Sequence, residues 1–290
     1  MFRVASLFHL VTFLCLFNAC LISSSRVKTV FLFGDSILDA GTNAYDKNCT
    51  IQANFPPYGQ DFFHRPTGRF TNGRTVADFI AQELGVDLQK PYLEIEMLLK
   101  NGELKEYPAN GINFASAGSG VLRQTNEILG VTPLEVQLQQ FETLVTQNKI
   151  DKETIREALY VFESASNNVF SYFFPTGADL PAPDEFVRLM LSEFTQVIQN
   201  IYDLGARRIA IFGLGPVGCI PARLILPNGS TDYCNARLNE MVTNYNMGLA
   251  NLVNELPARY DGVVPVYADV FDVVELFLTY PQQYGKFNNL

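Results

Sequence analysis

Residues 29–43 read Thr-Val-Phe-Leu-Phe-Gly-Asp-Ser-Ile-Leu-Asp-Ala-Gly-Thr-Asn, and this stretch decides the fold that we expect. Positions 30–33 form an unbroken apolar run, which is typical of a strand buried on both faces of a parallel sheet. The run stops at Gly34, where glycine permits a tight turn. Ser36 therefore lies just beyond the carboxyl end of the strand, where open α/β sheets bind their ligands, and is a candidate nucleophile. A serine that only caps the following turn is the alternative.

Strands and helices alternate along the rest of the chain. Further strands are predicted at 111–115, 159–162, 208–212 and 263–267, and helices at 74–84, 132–148, 184–204, 238–255 and 269–278. This alternation predicts an α/β fold with a doubly wound parallel sheet and right-handed crossovers. Small residues follow two of the strands, at 116–120 and 164–168, and would let the backbone approach a ligand closely. The segment 44–73 is rich in turn formers and is expected to be a long loop.

Two of the helices carry more specific expectations. The first is expected to place four apolar residues on one side, Val76, Phe79, Ile80 and Leu84. The second is expected to begin with Thr132 as its N-cap and Pro133 at its first position.

The composition of the 290 residues favours a single domain that enters the secretory pathway. Residues 1–25 resemble a signal peptide, because Arg3 precedes an apolar stretch at 4–22 and three serines follow it. A membrane anchor is the alternative, since the apolar stretch is long. Removal of the segment takes away Arg3 and changes the formal charge from −9 to −10. Such acidity disfavours nucleic acid and anionic membrane surfaces as partners, and no second apolar run is long enough to span a bilayer.

Cysteines and sequons agree with an oxidising compartment. Of five cysteines, two leave with the signal peptide, and the other three cannot all pair within one chain. Cys219 and Cys234 flank a loop that contains Pro and Gly, and we expect them to form the disulfide, which leaves Cys49 without a partner. Asn48 and Asn228 each begin a glycosylation acceptor sequence.

The segment 33–43, Phe-Gly-Asp-Ser-x-x-Asp-x-Gly-x-Asn, resembles the first sequence block of the GDSL (SGNH) ester hydrolases in their secreted plant form. The segment 66–74 resembles a recurrent segment of the same plant proteins, and the resemblance extends over about 30–285. It implies the SGNH-hydrolase fold, a flavodoxin-like arrangement of three layers, with residues 26–290 as one domain. The Gly-x-Ser-x-Gly elbow of the larger α/β-hydrolases is absent, so their fold is not implied.

Hydrolysis of an ester by a serine needs donors that hold the oxyanion of the tetrahedral intermediate. Ser36 itself would supply its backbone N–H. The resemblance assigns a second donor to Gly118, in a segment similar to the second block, and a third to the side-chain amide of Asn167, in the third block. That third block departs from the family, because Ala165 and Asn168 stand where relatives usually have Gly and Asp. The methyl group of Ala165 is therefore expected to disturb the loop that carries Asn167.

The proton acceptor is the missing part. The family takes its base and orienting acid from an Asp-x-x-His-Pro segment near the C-terminus, and no such segment occurs in these 290 residues. His9 leaves with the signal peptide, and His64 lies in a polar loop, where a solvated role is expected. Asp269 and Asp272 have the right spacing for an acid and a base, but acids that begin a helix are the plainer interpretation. We expect a family member that lacks its last C-terminal elements and has neither base nor acid.

The sequence therefore predicts a serine ester hydrolase scaffold for acyl esters or lipids, with weak or no activity in this chain. The alternatives are a non-catalytic secreted binding protein on the same scaffold, with a protein or glycan partner, and an unstable truncation product without a role. No metal or cofactor is implied. The expected destination is the extracellular space, with the vacuole or the ER body as alternatives on the same route.

Overall fold

The fold was examined in a computed structural model that describes residues 27–173, 180–221 and 234–285. In these residues six parallel strands form one sheet in the order β2-β3-β1-β4-β5-β6. The strands are β1 (Val30–Gly34), β2 (Lys90–Pro91), β3 (Gly111–Asn113), β4 (Leu159–Glu163), β5 (Arg208–Phe212) and β6 (Val264–Ala268). The predicted signal peptide at 1–25 and the sequon at Asn228 lie outside the described residues.

Helices cover both faces of the sheet, which confirms the predicted α/β fold. In chain order they are α1 (Val76–Leu84), α2 (Tyr92–Lys100), α3 (Leu134–Thr146), α4 (Lys152–Glu157), α5 (Ser166–Phe173), α6 (Pro183–Asp203), α7 (Ala236–Arg259), α8 (Val270–Thr279) and α9 (Pro281–Tyr284). The apolar faces of α3, α6 and α7 pack on one side of the sheet and α1 packs on the other, so the domain has three layers. None of the helices in the described ranges is both long and apolar enough to cross a membrane.

The central strand β1 is buried on both faces, as its apolar run predicts. Phe31 and Phe33 point into the larger core, while Val30 and Leu32 point to the α1 side. The ring of Phe33 stacks between Phe114 and Phe162, with centroid distances of 5.0 and 4.9 Å. Full burial of one such side chain contributes about 1.5–3 kcal/mol, so this run anchors the sheet beneath the loop that carries Ser36.

Strand β3 is shorter than predicted, although hydrogen bonds to β1 continue beyond it. The N–H groups of Phe114 and Ser116 donate to the carbonyls of Leu32 and Gly34, at 2.8 and 3.0 Å. The Asn113 side chain donates to the Leu38 carbonyl at 2.7 Å and accepts the N–H of Ala115 at 3.0 Å. It therefore connects the end of β3 to the loop after β1 and satisfies a backbone N–H that does not pair with β1. Strand β2 was not predicted, because two residues carry no alternation of apolar and polar positions.

The start of α3 corrects a second expectation. The helix begins at Leu134 with Pro133 at the N-cap, and Thr132 does not cap it. The N–H of Thr132 instead donates to the Ser116 hydroxyl at 3.0 Å, and its carbonyl accepts the Gln137 amide at 3.0 Å. The threonine connects the loop after β3 to α3, a contact that capping preferences do not reveal.

The buried side of α1 also differs from the expected one. Ile80 and Leu84 pack against the core as expected, but Val76 and Phe79 are 37% and 45% exposed, and the buried residues are Ala77, Asp78 and Ala81. The reason is a buried ion pair, because the Arg69 guanidinium from the long loop lies 2.8 Å from the Asp78 carboxylate. A buried charge must be paired, and this requirement outweighs the exposure of two apolar side chains on α1.

Candidate active site

Three loops meet at the carboxyl ends of β1, β3 and β4. The side-chain amide of Asn167 donates to the Ser119 carbonyl at 2.8 Å and to Asp35 Oδ2 at 3.2 Å. Ser119 adjoins Gly118, and Asp35 adjoins Ser36. The structure therefore brings the three residues singled out in the sequence into one small region.

Ser36 is half-buried in the turn after β1, between the buried Asp35 and the exposed Ile37. Asp35 fixes this turn, because Oδ1 accepts the N–H of Ile37 at 3.1 Å and its carbonyl accepts the N–H of Asp39 at 2.9 Å. The Ser36 N–H donates to no atom of the described residues. It is therefore available to a ligand, as an oxyanion donor must be.

Gly118 is the second donor that the sequence proposed. Its φ of +85° lies in the left-handed region, and an added Cβ would stand 2.6 Å from the Ile51 side chain. Its carbonyl accepts the Asn126 amide at 2.7 Å, while its N–H donates to nothing in the described part of the chain. Glycine is required here for backbone conformation and for space, and it leaves a second backbone donor unused.

A buried glutamine, Gln137 on α3, supports the floor of the site. Its Oε1 accepts the Gly34 N–H at 2.8 Å, and its Nε2 donates to the Gly34 carbonyl at 2.9 Å and to the Ser119 hydroxyl at 3.2 Å. One side chain thus holds both the end of β1 and the loop after β3. Our sequence interpretation missed it, although a single polar residue within the buried apolar side of α3 was a signal for such a role.

The motif residues Asp39 and Asn43 are structural. Asp39 is fully buried and accepts the N–H groups of Gly41, Thr42 and Ala117 at 2.7, 2.6 and 2.9 Å. Asn43 donates to the Ala117 carbonyl at 2.9 Å and accepts the hydroxyl of the loop residue Ser116 at 2.6 Å. Together they attach the loop after β3 to the loop after β1, which sets Gly118 beside Ser36.

Asp39 gives a prediction for the pH dependence of stability. Burial raises the pKa of Asp39 to about 6, although its three N–H donors act in the opposite direction. A carboxyl with a raised folded-state pKa stabilises the fold most at low pH, and this contribution is lost as pH rises from about 4 to about 6. Relative to Asp39→Asn, the wild-type free energy of unfolding should fall by about 3 kcal/mol over this range, because each pKa unit is worth about 1.4 kcal/mol.

Urea denaturation of both proteins at pH 4, 5, 6 and 7 measures this difference. The exposed Asp261 provides the control, because its carboxylate has no hydrogen bond in the described residues and Asp261→Asn should change little. A difference between wild type and Asp39→Asn that stays constant or grows with pH would show that the N–H donors outweigh burial.

The third loop carries both departures from the family pattern, Ala165 and Asn168. Ala165 is buried with a φ of +111°, a conformation that costs a non-glycine residue about 1–3 kcal/mol. Asn167, two residues further on, makes the two contacts given above. Asn168 supports the loop without a carboxylate, since its Oδ1 accepts the Val121 N–H at 2.8 Å and its amide donates to the Thr125 hydroxyl at 2.6 Å.

A pair of buried carboxyls lies below the loops. Asp35 and Glu163 are 0% and 4% exposed and are hydrogen-bonded to each other. Burial and the neighbouring Asp35 charge raise the pKa of Glu163 well above its ordinary value, and burial also raises the pKa of Asp35. Sequence reasoning missed this pair, although a glutamate at the end of a buried apolar strand was an anomaly that could have drawn attention to it.

No proton acceptor for Ser36 is found within the described ranges. His64 is exposed, and the structure shows it without a hydrogen bond to any described residue. Asp269 caps α8, as the plainer interpretation predicted, by accepting the Asp272 N–H at 3.2 Å, and both acids are exposed. The described residues also contain no group of three or more His, Cys, Asp or Glu side chains arranged to hold a metal ion.

The cysteines and the remaining sequon take no part in the contacts among Ser36, Gly118 and Asn167. Cys219 and Cys234 form a disulfide, and Cys49 is buried as the one free cysteine of the described part. Asn48 is exposed, so it is accessible to a glycosyltransferase.

Comparisons with known proteins agree with the geometry. The model of the family described as "GDSL-like Lipase/Acylhydrolase" matches residues 30–289. The chain is similar to GDSL esterase/lipase 6 of Arabidopsis thaliana, with 54% identity over 263 residues, 91% of this chain and 72% of the relative. It is 35% identical to GDSL esterase/lipase 5 of the same plant, over 90% of this chain and 68% of the relative. It is 32% identical to a GDSL lipase of Tanacetum cinerariifolium, over 95% of this chain and 73% of the relative.

Proposed function

The chain belongs to the GDSL-like lipase/acylhydrolase family, and on this premise we propose that it is a serine ester hydrolase scaffold for acyl esters or lipids. The observation that carries the proposal is the meeting of Ser36, Gly118 and Asn167 at one edge of the sheet. Secretion is part of the proposal, supported by the sequence of residues 1–25.

The proposed reaction is the attack of the Ser36 hydroxyl oxygen on the ester carbonyl carbon. The carbonyl oxygen becomes an oxyanion, which the N–H groups of Ser36 and Gly118 and the amide of Asn167 stabilise. One such donor is typically worth about 3–4 kcal/mol of barrier. The hydroxyl proton must leave at the same time, and a base close to the oxygen normally takes it. We propose that the 290-residue chain is weak or inactive, because no such acceptor is found among the residues that the structure describes.

Chemical rescue tests the proposal. Imidazole added to the solution can accept the serine proton, so a fluorophosphonate probe should label Ser36 in its presence and label it weakly without it. Ser36→Ala should abolish labelling at this site, which mass spectrometry of the tryptic peptide reports. Absence of labelling at Ser36 at every imidazole concentration would contradict the assignment of the nucleophile.

The same assay tests the oxyanion donor. Asn167→Ala should lower the rescued labelling rate by about 10²–10³-fold, because one of three donors to the phosphonate oxygen is lost. Asn101, exposed at the end of α2, supplies the matched control, and Asn101→Ala should label at the wild-type rate. Equal rates for the two variants would exclude the Asn167 amide from the site.

Binding without turnover is the second candidate function, and it is favoured by the free N–H groups of Ser36 and Gly118 beside no described base. It predicts saturable binding of a protein or a glycan that survives Ser36→Ala, because recognition does not need the hydroxyl. Loss of all binding in that variant, with the fold intact by circular dichroism, would count against it.

A further inference from the structure

The buried carboxyl pair stands at the point where two central strands end. Gly34 of β1 and Glu163 of β4 are register partners, and the carboxyl of Asp35, the next residue, is hydrogen-bonded to that of Glu163. No Lys, Arg or His side chain of the described residues bonds to either carboxyl. Two buried carboxyls in contact cannot both be charged, so the pair holds one proton at neutral pH.

The environment of Glu163 indicates which carboxyl carries the proton. Its Oε2 accepts no hydrogen bond from a donor in the described residues, and the Ser166 hydroxyl is the one partner that favours its charged form. Asp35, in contrast, accepts the Ile37 N–H and the Asn167 amide. The proton therefore belongs on Glu163, which donates it towards Asp35.

The Asn167 amide is already occupied in this structure. Its Nδ2 has two hydrogens, and it donates to the Ser119 carbonyl at 2.8 Å and to Asp35 Oδ2 at 3.2 Å. An oxyanion can receive one of these hydrogens only if a protein acceptor gives it up. The longer contact, to Asp35, is the one that must yield. How strongly Asp35 holds the amide therefore decides whether Asn167 acts as an oxyanion donor.

We propose that Glu163 is a positioning residue, which shares its proton with Asp35 and thereby lets the Asn167 amide turn to an oxyanion. A hydrogen bond from Glu163 withdraws charge from Asp35 and makes it a weaker acceptor for the amide. Without that proton Asp35 is a full carboxylate in an apolar surrounding, and it holds the amide more tightly. This inference rests on the proposed function, since it concerns the same oxyanion site.

Two substitutions test separately whether the hydrogen-bond donor or the volume of the Glu163 side chain matters. Glu163→Gln keeps a hydrogen-bond donor to Asp35 and should retain the imidazole-rescued labelling rate of Ser36 within about three-fold. Glu163→Leu keeps the volume without a donor and should lower that rate by about 10–100-fold, approaching the loss of one oxyanion donor. Thermal melts identify any variant that fails to fold. A folded Glu163→Leu protein that labels at the wild-type rate would overturn the proposal.

The pH profile gives a readout that a merely structural role would not change. The ratio of wild-type to Glu163→Gln labelling rates should fall as pH rises from 5 to 9, because only the wild type loses the shared proton. The groups that face Glu163 are Asp35, the Ser166 hydroxyl and the Tyr245 hydroxyl from α7, which in turn faces Tyr267 of β6. Burial raises the pKa of Tyr245, and that of Tyr267 to about 12, so neither titrates in this range. A constant ratio would overturn the proposal.

Nuclear magnetic resonance separates this inference from the proposed function. The side-chain amide resonance of Asn167, assigned by its loss in Asn167→Ala, should shift between pH 7 and 9 in the wild type and shift less over this range in Glu163→Gln, where Asp35 is the one carboxyl of the pair left to titrate. A pH-independent resonance in the wild type would overturn the coupling between Glu163 and Asn167. A shifting resonance in a protein whose Ser36 never labels would support the coupling and refute the hydrolase proposal alone.

Discussion

Gly34→Ala is expected to prevent the protein from folding. The added Cβ would stand 1.9 Å from the backbone carbonyl oxygen of Glu163, and the φ of +151° at this position is one that alanine rarely adopts. The obstacle is the backbone of β4 in the centre of the sheet, so neither partner can move without breaking the β1–β4 pairing. We expect a loss of more than about 4 kcal/mol, a large share of the 5–15 kcal/mol that stabilises a typical domain.

Gly102→Ala is the matched control for this prediction. Gly102 also has a positive φ, of +76°, but an added Cβ would meet nothing within 4 Å. Only backbone strain remains, so the loss should be about 1–2 kcal/mol. Soluble yield, circular dichroism and the thermal midpoint compare the two variants. A Gly34→Ala protein that melts near the wild-type temperature would show that β1 and β4 are not packed as described.

The order of strands and helices could be predicted from the sequence, because local patterns of apolar residues and turn formers determine it. The apolar run at 30–33 and its glycine stop predicted β1 and the turn after it, and the strand at 208–212 was predicted at its observed bounds. Small residues after the strands predicted which loops would meet, since the carboxyl ends of parallel strands share one edge. Ser36, Gly118 and Asn167 were placed together on this ground and on the family resemblance.

The roles of the supporting residues could not be predicted from the sequence, because they depend on contacts between residues that are distant along the chain. Gln137 holds Gly34 across 103 positions, and nothing near either residue indicates the pairing. Asn113 connects the end of β3 to Leu38, 75 positions away, and the spacing of apolar residues does not indicate this contact. The ion pair with Arg69 places Asp78 of α1 in the interior and leaves the apolar side chains of Val76 and Phe79 exposed. In each case a buried polar group required a partner, and the requirement prevailed over the local pattern.

Glu163 shows the same principle at the site itself. Glutamate is unusual at the end of a buried strand such as β4, because its charge would be buried. The proton that Glu163 shares with Asp35 avoids the burial of two charges at this position. Sequence analysis alone could not identify its partner, since Asp35 approaches it only through the register between β1 and β4.

Turnover by the 290-residue chain is expected to be lower by about 10⁶-fold than that of a complete serine hydrolase, because removal of the base in such an enzyme has an effect of this order. The oxyanion donors alone can still polarise a bound ester, so a small residual rate over water should remain. His64 is exposed and has no hydrogen bond to a described residue, so His64→Gln should leave the residual rate unchanged.

The central claim is that Ser36 has oxyanion donors beside it and, among the residues that the structure describes, no group to accept its proton. The most direct test is the rate at which the purified chain hydrolyses p-nitrophenyl butyrate at pH 8, compared with Ser36→Ala. We predict a rate close to that of the buffer, and a difference between the two proteins that is small against normal serine hydrolase turnover. Rapid hydrolysis that disappears with Ser36→Ala would contradict the claim, since it would require a proton acceptor that the described residues do not show.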